Sequence, residues 1–309
     1  MRGTSDEIGV AVVGSGDMGS TYAEVIAKHV AGARLTAVCG GSRAPALAAD
    51  YEVAHVPDYA SLLARPDVDA VILATPHSVH RDGTVQAAEA GVHVLVEKPM
   101  ALDAAECTAM IEAHRRAGTV LAVIHGMRFE ENYVRARRLL DEGALGDLRM
   151  LRVAGLTPGY DMGHKLWLAE AGEGGVLLDW GSHAFDILRH TAGAEPVRLY
   201  ADLATFGSAA VPEPSAMAQV AFANGVLAQL WMSYEMPTPG LDSAFRVWIV
   251  GSRAMLQLDR FDRLLRAGED GRWEVLNDSG TADWSLPRRH DPVRLVSPTR
   301  QLQDFVDAL

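Results

Sequence analysis

The chain has 309 residues, 49% hydrophobic and 22% charged, a balance that excludes a disordered or fibrous protein and can fill a sizeable core. Its formal net charge of -12 argues against a general affinity for nucleic acid or anionic membranes, since both reward clustered Lys and Arg. Two cysteines, Cys39 and Cys107, offer neither a disulfide framework nor a metal-knuckle spacing, and no apolar run is long enough for a signal peptide or a membrane span, so a cytoplasmic location is expected.

Between residues 8 and 124, short apolar runs alternate with helical patterns: "IGVAVVG", "RLTAVCG", a weak "VAHV", "DAVILATP", "VHVLVEKP" and "TVLAVIHG". Near-continuous apolar strands between amphipathic helices mark a parallel sheet covered on both faces, so residues 1–124 read as a doubly wound α/β domain. The first run leads straight into G-x-G-x-x-G, formed by Gly14, Ser15, Gly16, Asp17, Met18 and Gly19, at the start of a helix. Gly14 permits a tight turn, Gly16 lets the backbone approach a pyrophosphate, and Gly19 allows close helix–strand packing. The phosphates then meet the helix's free N–H groups and its positive end.

The second run ends in "TAVCGGSRAP", without the carboxylate that would take the ribose 2'-hydroxyl of NAD. Gly40 and Gly41 leave room there, Ser42 can donate a hydrogen bond, and Arg43 can pair with a 2'-phosphate. NADP(H) is therefore the expected preference, with NAD(H) possible; the plainer reading of Arg43 is a solvated loop charge. The fifth run ends in "VLVEKPMALDAAE", which places Lys98 at the carboxyl end of a parallel strand, where such sheets bind ligands, with Pro99 stiffening the chain behind it. An ammonium there can polarise a substrate oxygen, as hydride transfer requires; the plainer reading is an exposed lysine paired with Glu97.

Beyond residue 124 the pattern changes. A helix in "ENYVRARRLLDEG" leads to a strand around "LRMLRVAGL", a Gly-rich loop, and the apolar "GVLLDWGSHAFD", in which Asp179, His183 and Asp186 share one stripe at helical spacing. Metal ligation, nucleophile activation, a proton relay and a structural network all use such a trio. After residue 196 the runs "VRLYADLATF", "AMAQVAFANGVLAQLWMSY", "SAFRVWIVG" and "AMLQLD" follow, with Asn224-Gly225 expected as a two-residue hairpin turn at positive φ. "EDGRWEVLNDSGTADWSLPRRHDP" reads mostly as loop. Residues 125–309 thus read as an α+β domain built on an antiparallel sheet.

"GSGDMG", "ATPHSVH", "EKPMALDAAE" and "GGVLLDWGSHAFD", in that order, resemble the glucose-fructose oxidoreductase, inositol dehydrogenase and rhizopine-catabolism (Gfo/Idh/MocA) family. The resemblance implies a Rossmann domain followed by an α+β domain with a large, mostly antiparallel open sheet, used for substrate binding and for homo-oligomer contacts in a dimer or tetramer. It implies an NAD(P)-dependent oxidoreductase that moves a hydride between nicotinamide and a sugar, cyclitol or related polyhydroxy alcohol or ketone. Carried onto matching positions, Lys98, Asp179 and His183 become the catalytic group. His183 would exchange the proton of the reacting hydroxyl, Asp179 would orient or assist it, and Lys98 would position the substrate near the nicotinamide. An imidazole titrates near neutrality, and a carboxylate one turn away can fix its tautomer.

By the same resemblance Thr75, Pro76, His77 and His80 line the nicotinamide side together with Glu97 and Lys98, although His77 stands where the family more often has Asn. The segment "YDMGHKLWLAEAGEGG" should form part of the substrate wall: Trp167 to stack, Tyr160, His164 and Lys165 to bind hydroxyls, with core packing the alternative for the Trp. Arg128 is a further substrate candidate whose alternative is an ion pair with Glu130 or Glu131. Asp186 reads as a structural hydrogen-bonding group, and Trp180 replaces a smaller residue and would narrow the pocket. No metal is expected, because no thiolate or acid cluster completes a ligand set around His77 and His80. Two other classes compete: a non-catalytic NAD(P)-binding sensor, which has no need of Lys98, Asp179 and His183, and a metal-dependent hydrolase, which leaves the glycine motif unexplained. The chain ends at "TRQLQDFVDAL", before a further helix that the resemblance implies.

Overall fold

The structure, a computed structural model, describes residues 7–158, 173–207, 213–237, 245–278 and 282–309. Each of the six apolar runs forms a strand: β1 (Ile8–Val13), β2 (Ala33–Cys39), β3 (Ala54–Val56), β4 (Ala70–Leu73), β5 (His93–Val96) and β6 (Leu121–Val123). Helices α1 (Asp17–Lys28), α2 (Ala44–Asp50), α3 (Tyr59–Leu63), α4 (His80–Glu89) and α5 (Ala104–Ala117) connect them. All neighbours pair in parallel, in the order β3-β2-β1-β4-β5-β6. Helices pack on both faces, so Val10, Ala11 and Val12 are fully buried and β1 presents no polar side chain. The strand order reverses between β1 and β4, and ligands of such sheets bind in the crevice outside the carboxyl ends at that point.

The remaining elements are α6 (Glu131–Asp141), β7 (Leu148–Pro158), α7 (Ser182–Ala192), β8 (Pro196–Ala204), β9 (Ser215–Phe222), β10 (Leu227–Met236), β11 (Phe245–Gly251), β12 (Met255–Asp259), β13 (Arg263–Ala267), β14 (Trp273–Asp278) and α8 (Pro292–Asp307). Strands β7 to β14 form one eight-stranded sheet, β14-β13-β12-β11-β7-β10-β9-β8, in which only β7 and β10 run parallel. One face meets α6 and α7 through Leu151, Val153, Leu230 and Val247, packed against Tyr133, Ile187 and Leu188. Alternation turns the other residues outward: Leu227 lies opposite Met150, Met217 opposite Trp231, and Arg152 opposite Trp248. The Arg152 guanidinium lies over the Trp231 and Trp248 rings, 5.7 and 5.4 Å from their centroids.

Two local readings are corrected. The β9–β10 turn is not a two-residue turn with both positions at positive φ: only Gly225 lies there, at +87°, and the Phe222 N–H donates to Val226 O across a longer loop. Asn224 instead donates through Nδ2 to the carbonyl of Ala192 at the end of α7, at 2.8 Å, which ties the hairpin to the helix. The segment read as loop contains β14, an edge strand whose alternation is hidden by polar residues because both of its sides are largely exposed.

The chain divides into a first unit, Met1–Gly126 with Asp283–Leu309, and a second, Met127–Ala282. The C-terminal helix therefore joins the nucleotide-fold half rather than the second domain expected over 125–309. The cause is apolar: Leu302, Phe305 and Val306 complete a core with Val10, Tyr22 and Ile26. Asp291, almost fully buried, caps α8 by accepting from the Val293 and Arg294 N–H groups, and it also accepts from Arg294 Nε at 2.8 Å and the Asp283 N–H at 2.9 Å. Burial alone would raise its carboxyl pKa, but these donors outweigh burial and hold it below the usual range. A depressed folded-state pKa means that this stability is present above the unfolded value and is lost as the pH falls through the folded one. Asp291→Ala should cost about 3 kcal/mol, because it breaks a buried pair and a cap together. A melting curve at neutral pH within about 0.5 kcal/mol of wild type would contradict this.

Candidate active site

The glycine loop separates the residues that folding requires from one that it does not. Gly14 has φ +108°, and a Cβ there would stand 2.2 Å from the Ala74 carbonyl oxygen, where β1 and β4 meet. A Cβ on Gly19 would lie 2.0 Å from Gly14 O, so close packing of α1 on the turn demands glycine. Gly16 is different: a Cβ would meet only Arg43 Nη2, at 3.9 Å. Gly16 is also the N-cap of α1 and supplies no side-chain cap, which leaves the helix's first N–H groups without that partner. An open glycine beside an uncapped helix start fits a dinucleotide's pyrophosphate. Ser15 is buried under the second loop, where a Cβ on Gly41 would strike its Oγ, while Met18 packs on the core and Asp17 stands exposed in the first turn.

The turn after β2 holds Gly40 and Gly41 at φ +78° and +82°, followed by exposed Ser42 and Arg43. Arg43 makes no ion pair among the described residues, and its guanidinium reaches over Gly16. The stretch Cys39–Arg43 contains no carboxylate.

Lys98 is half-buried at the end of β5, and its backbone is anchored from two sides. Glu97 accepts the Lys98 N–H through Oε2 at 2.9 Å and the Tyr22 hydroxyl of α1 through Oε1. His80, fully buried, holds its ring nitrogens 2.9 Å from Pro99 O and 3.0 Å from Thr75 O. His80 thus ties the Thr75–Pro76 loop to the segment after Lys98 and is a clamp rather than an imidazole offered to a ligand. His77 is also buried, its ring centroid 5.8 Å from that of His80. Glu97 and Tyr22 form a brace that sequence reading missed, because a tyrosine on the buried side of an apolar helix gives no signal of its partner.

In the second unit the expected continuous α-helix is interrupted. Leu177–Gly181 forms a π-helical turn that carries Asp179, and α7 begins only at Ser182. Such single wide turns are frequent at functional sites. Asp179 is buried and accepts the Tyr234 hydroxyl of β10 at 2.8 Å. Trp180 is packed against the core of this unit. It packs on the sheet, edge-on to Tyr234 and 5.8 Å from Phe245, in space that exists because residue 155 is glycine: a Cβ there would lie 2.8 Å from the indole. The wide turn lets Trp180 sit on the sheet while Asp179 faces Tyr234. Half-buried His183 follows in the first turn of α7.

Asp186 pairs with Arg128 in a two-bond contact of 2.8 and 2.5 Å, so Arg128 is engaged by neither Glu130 nor Glu131 and is held as part of the framework of α7. Glu130 pairs with Arg260. The expectations for Tyr160, His164, Lys165 and Trp167 fall outside the described residues.

Residues 8–125 match the family model described as the oxidoreductase family, NAD-binding Rossmann fold, and residues 133–257 match the GFO/IDH/MocA C-terminal domain. The chain is 35% identical over 190 residues to the 1-carboxy-3-chloro-3,4-dihydroxycyclohexa-1,5-diene dehydrogenase of Comamonas testosteroni, covering 60% of this chain and 47% of that one. It is 38% identical over 172 residues to the 1,5-anhydro-D-fructose reductase of Ensifer adhaerens, covering 54% and 51%. The chain spans about half the length of these curated relatives. The crystal structure of GenD2 from gentamicin A biosynthesis, in complex with NAD, superposes with a TM-score of 0.81 at 25% identity, over 99% of this chain and 87% of that one.

Proposed function

The chain belongs to the GFO/IDH/MocA oxidoreductase family, and from that premise we propose that it transfers a hydride between a nicotinamide dinucleotide and a sugar, cyclitol or related polyhydroxy compound. The observation that carries this reading is the double anchoring of Lys98 at the carboxyl end of β5, by Glu97 and by the His80 clamp. A backbone fixed that way sets the point at the carboxyl end of β5 from which the Lys98 ammonium can reach and polarise a substrate oxygen. Nicotinamide, when bound, supplies the hydride acceptor or donor. In the oxidative direction the hydride would leave the substrate carbon for the bound coenzyme as the C=O bond forms, and the hydroxyl proton would pass to the His183 imidazole. Asp179, held by Tyr234, would assist that imidazole, and Lys98 would supply positive charge to the substrate. A panel of cyclitols and sugars, with their keto forms, followed by nicotinamide absorbance tests the reading; no turnover with any of them by a protein that binds coenzyme would remove it.

NADP(H) is the preferred coenzyme in this reading, supported by the open Arg43 guanidinium and the absence of an acid after β2. Arg43→Ala should weaken NADPH binding about tenfold or more, the worth of one charge-assisted phosphate contact, and leave NADH nearly unchanged. Equal losses for both coenzymes would point to NAD(H).

Homo-oligomerisation through the outward face of the eight-stranded sheet completes the proposal. Met150, Met217 and Leu227 are each about half exposed on that face, beside the Trp231–Arg152–Trp248 stack. A cytoplasmic location accords with two free cysteines. No helix among the described residues is long and apolar enough to cross a membrane.

A further inference from the structure

The sequence "PRRHDP" stands far from any motif, yet the fold brings it back to the glycine loop. Arg288–His290 forms a single helical turn just before α8, and Arg288 Nε lies 3.5 Å from Asp17 Oδ2 in the first turn of α1. Arg289 Nη1 lies 3.3 Å from Asp50 Oδ2 at the end of α2. The turn is fixed from behind, because Arg294 donates to the Asp283 and Leu286 carbonyls at 3.0 and 2.5 Å while pairing with Asp291. The Arg288 side chain is only 15% exposed, so it is not a loose surface charge, whereas Asp17 is 53% exposed.

An acid in the first turn favours an isolated helix. In this helix it creates a conflict, because the N–H groups beside it are those that would receive a diphosphate, and a carboxylate there repels that ligand. We infer that Arg288 is part of the dinucleotide site: it cancels the charge of Asp17 at the mouth of α1 so that the helix start accepts an anionic pyrophosphate. Arg289 braces α2 from the same turn. The Arg288–Asp17 pair thus adds an electrostatic contact to the apolar packing that brings the C-terminal segment into the nucleotide-binding unit. It rests on the dinucleotide reading above and adds a positioning residue to it.

A double-substitution cycle tests the inference, with NADPH and NADH affinities read by fluorescence titration and melting temperature recorded for each protein. Arg288→Ala should weaken both coenzymes about tenfold, by exposing an uncompensated carboxylate. Asp17→Asn should tighten both severalfold, and the double variant should return close to wild type. A structural role alone would leave the Arg288→Ala loss in place when Asp17 is neutralised, and that result would overturn the inference. Should Arg288→Ala not fold, Asp17→Asn decides by itself, since its exposed side chain is dispensable for packing: unchanged or weaker binding would overturn the inference. Wild type that binds neither coenzyme would sink the dinucleotide reading and this inference with it, whereas wild type that binds while the cycle shows no coupling sinks the inference alone.

Discussion

Replacing His183 with alanine is expected to lower kcat about a hundred- to ten-thousandfold, the usual worth of a positioned general acid–base group. Coenzyme affinity should stay close to wild type, because the glycine loop, the turn after β2 and the Lys98 anchor all belong to the other compact unit. Half-buried His183 lies in the first turn of α7, whose core contacts are made by Ala184, Ile187 and Leu188, so the variant should fold. Lys98→Ala should match it in kcat, since its anchors hold the backbone and not the ammonium. The check is steady-state kinetics on the best substrate of the panel, paired with a coenzyme titration. Turnover within about threefold of wild type in either variant would remove that residue from the chemistry.

The second large effect separates two glycines of one motif. Gly19→Ala places a Cβ against the main-chain oxygen of Gly14, where no side chain can move aside, so α1 must lift from β1. A loss of about 3 kcal/mol or more in stability, together with loss of coenzyme binding, is expected. Gly16→Ala meets only the tip of Arg43, so its melting temperature should stay at the wild-type value while coenzyme affinity falls about tenfold or more, the methyl occupying space that a phosphate needs. Thermal melts of both proteins with and without coenzyme decide the matter: a Gly16→Ala protein stabilised by coenzyme as fully as wild type would show that nothing approaches the backbone there.

The parallel half of the fold was legible because both faces of its central strands are buried, so β1, β4 and β5 read as near-continuous apolar runs that a covered sheet explains. The antiparallel half was legible only where one face is wet. Strand β14, at an edge, looked like loop, and the Asn224 turn looked ideal until its amide proved to be engaged with α7. In the candidate site, local motifs were readable and their supports were not. Lys98 and Asp179 were proposed from short patterns, whereas Tyr22, Tyr234 and Arg288 lie 75, 55 and 271 residues from the carboxylates that they contact. A hydroxyl or guanidinium carries no sequence mark of a partner at such distance. The seat of Trp180 was hidden for a related reason: the space that receives it is a glycine on β7.

Deuterium transfer tests the proposed chemistry most directly. Cyclitols and sugars deuterated at their carbinol carbons would be incubated with the protein and oxidised coenzyme, and the coenzyme analysed by mass spectrometry. Hydride transfer through this site predicts one deuterium on the nicotinamide ring with wild type, and its near disappearance in both Lys98→Ala and His183→Ala. Coenzyme-saturated wild type that never acquires the label, or label transfer undiminished in both variants, would contradict it.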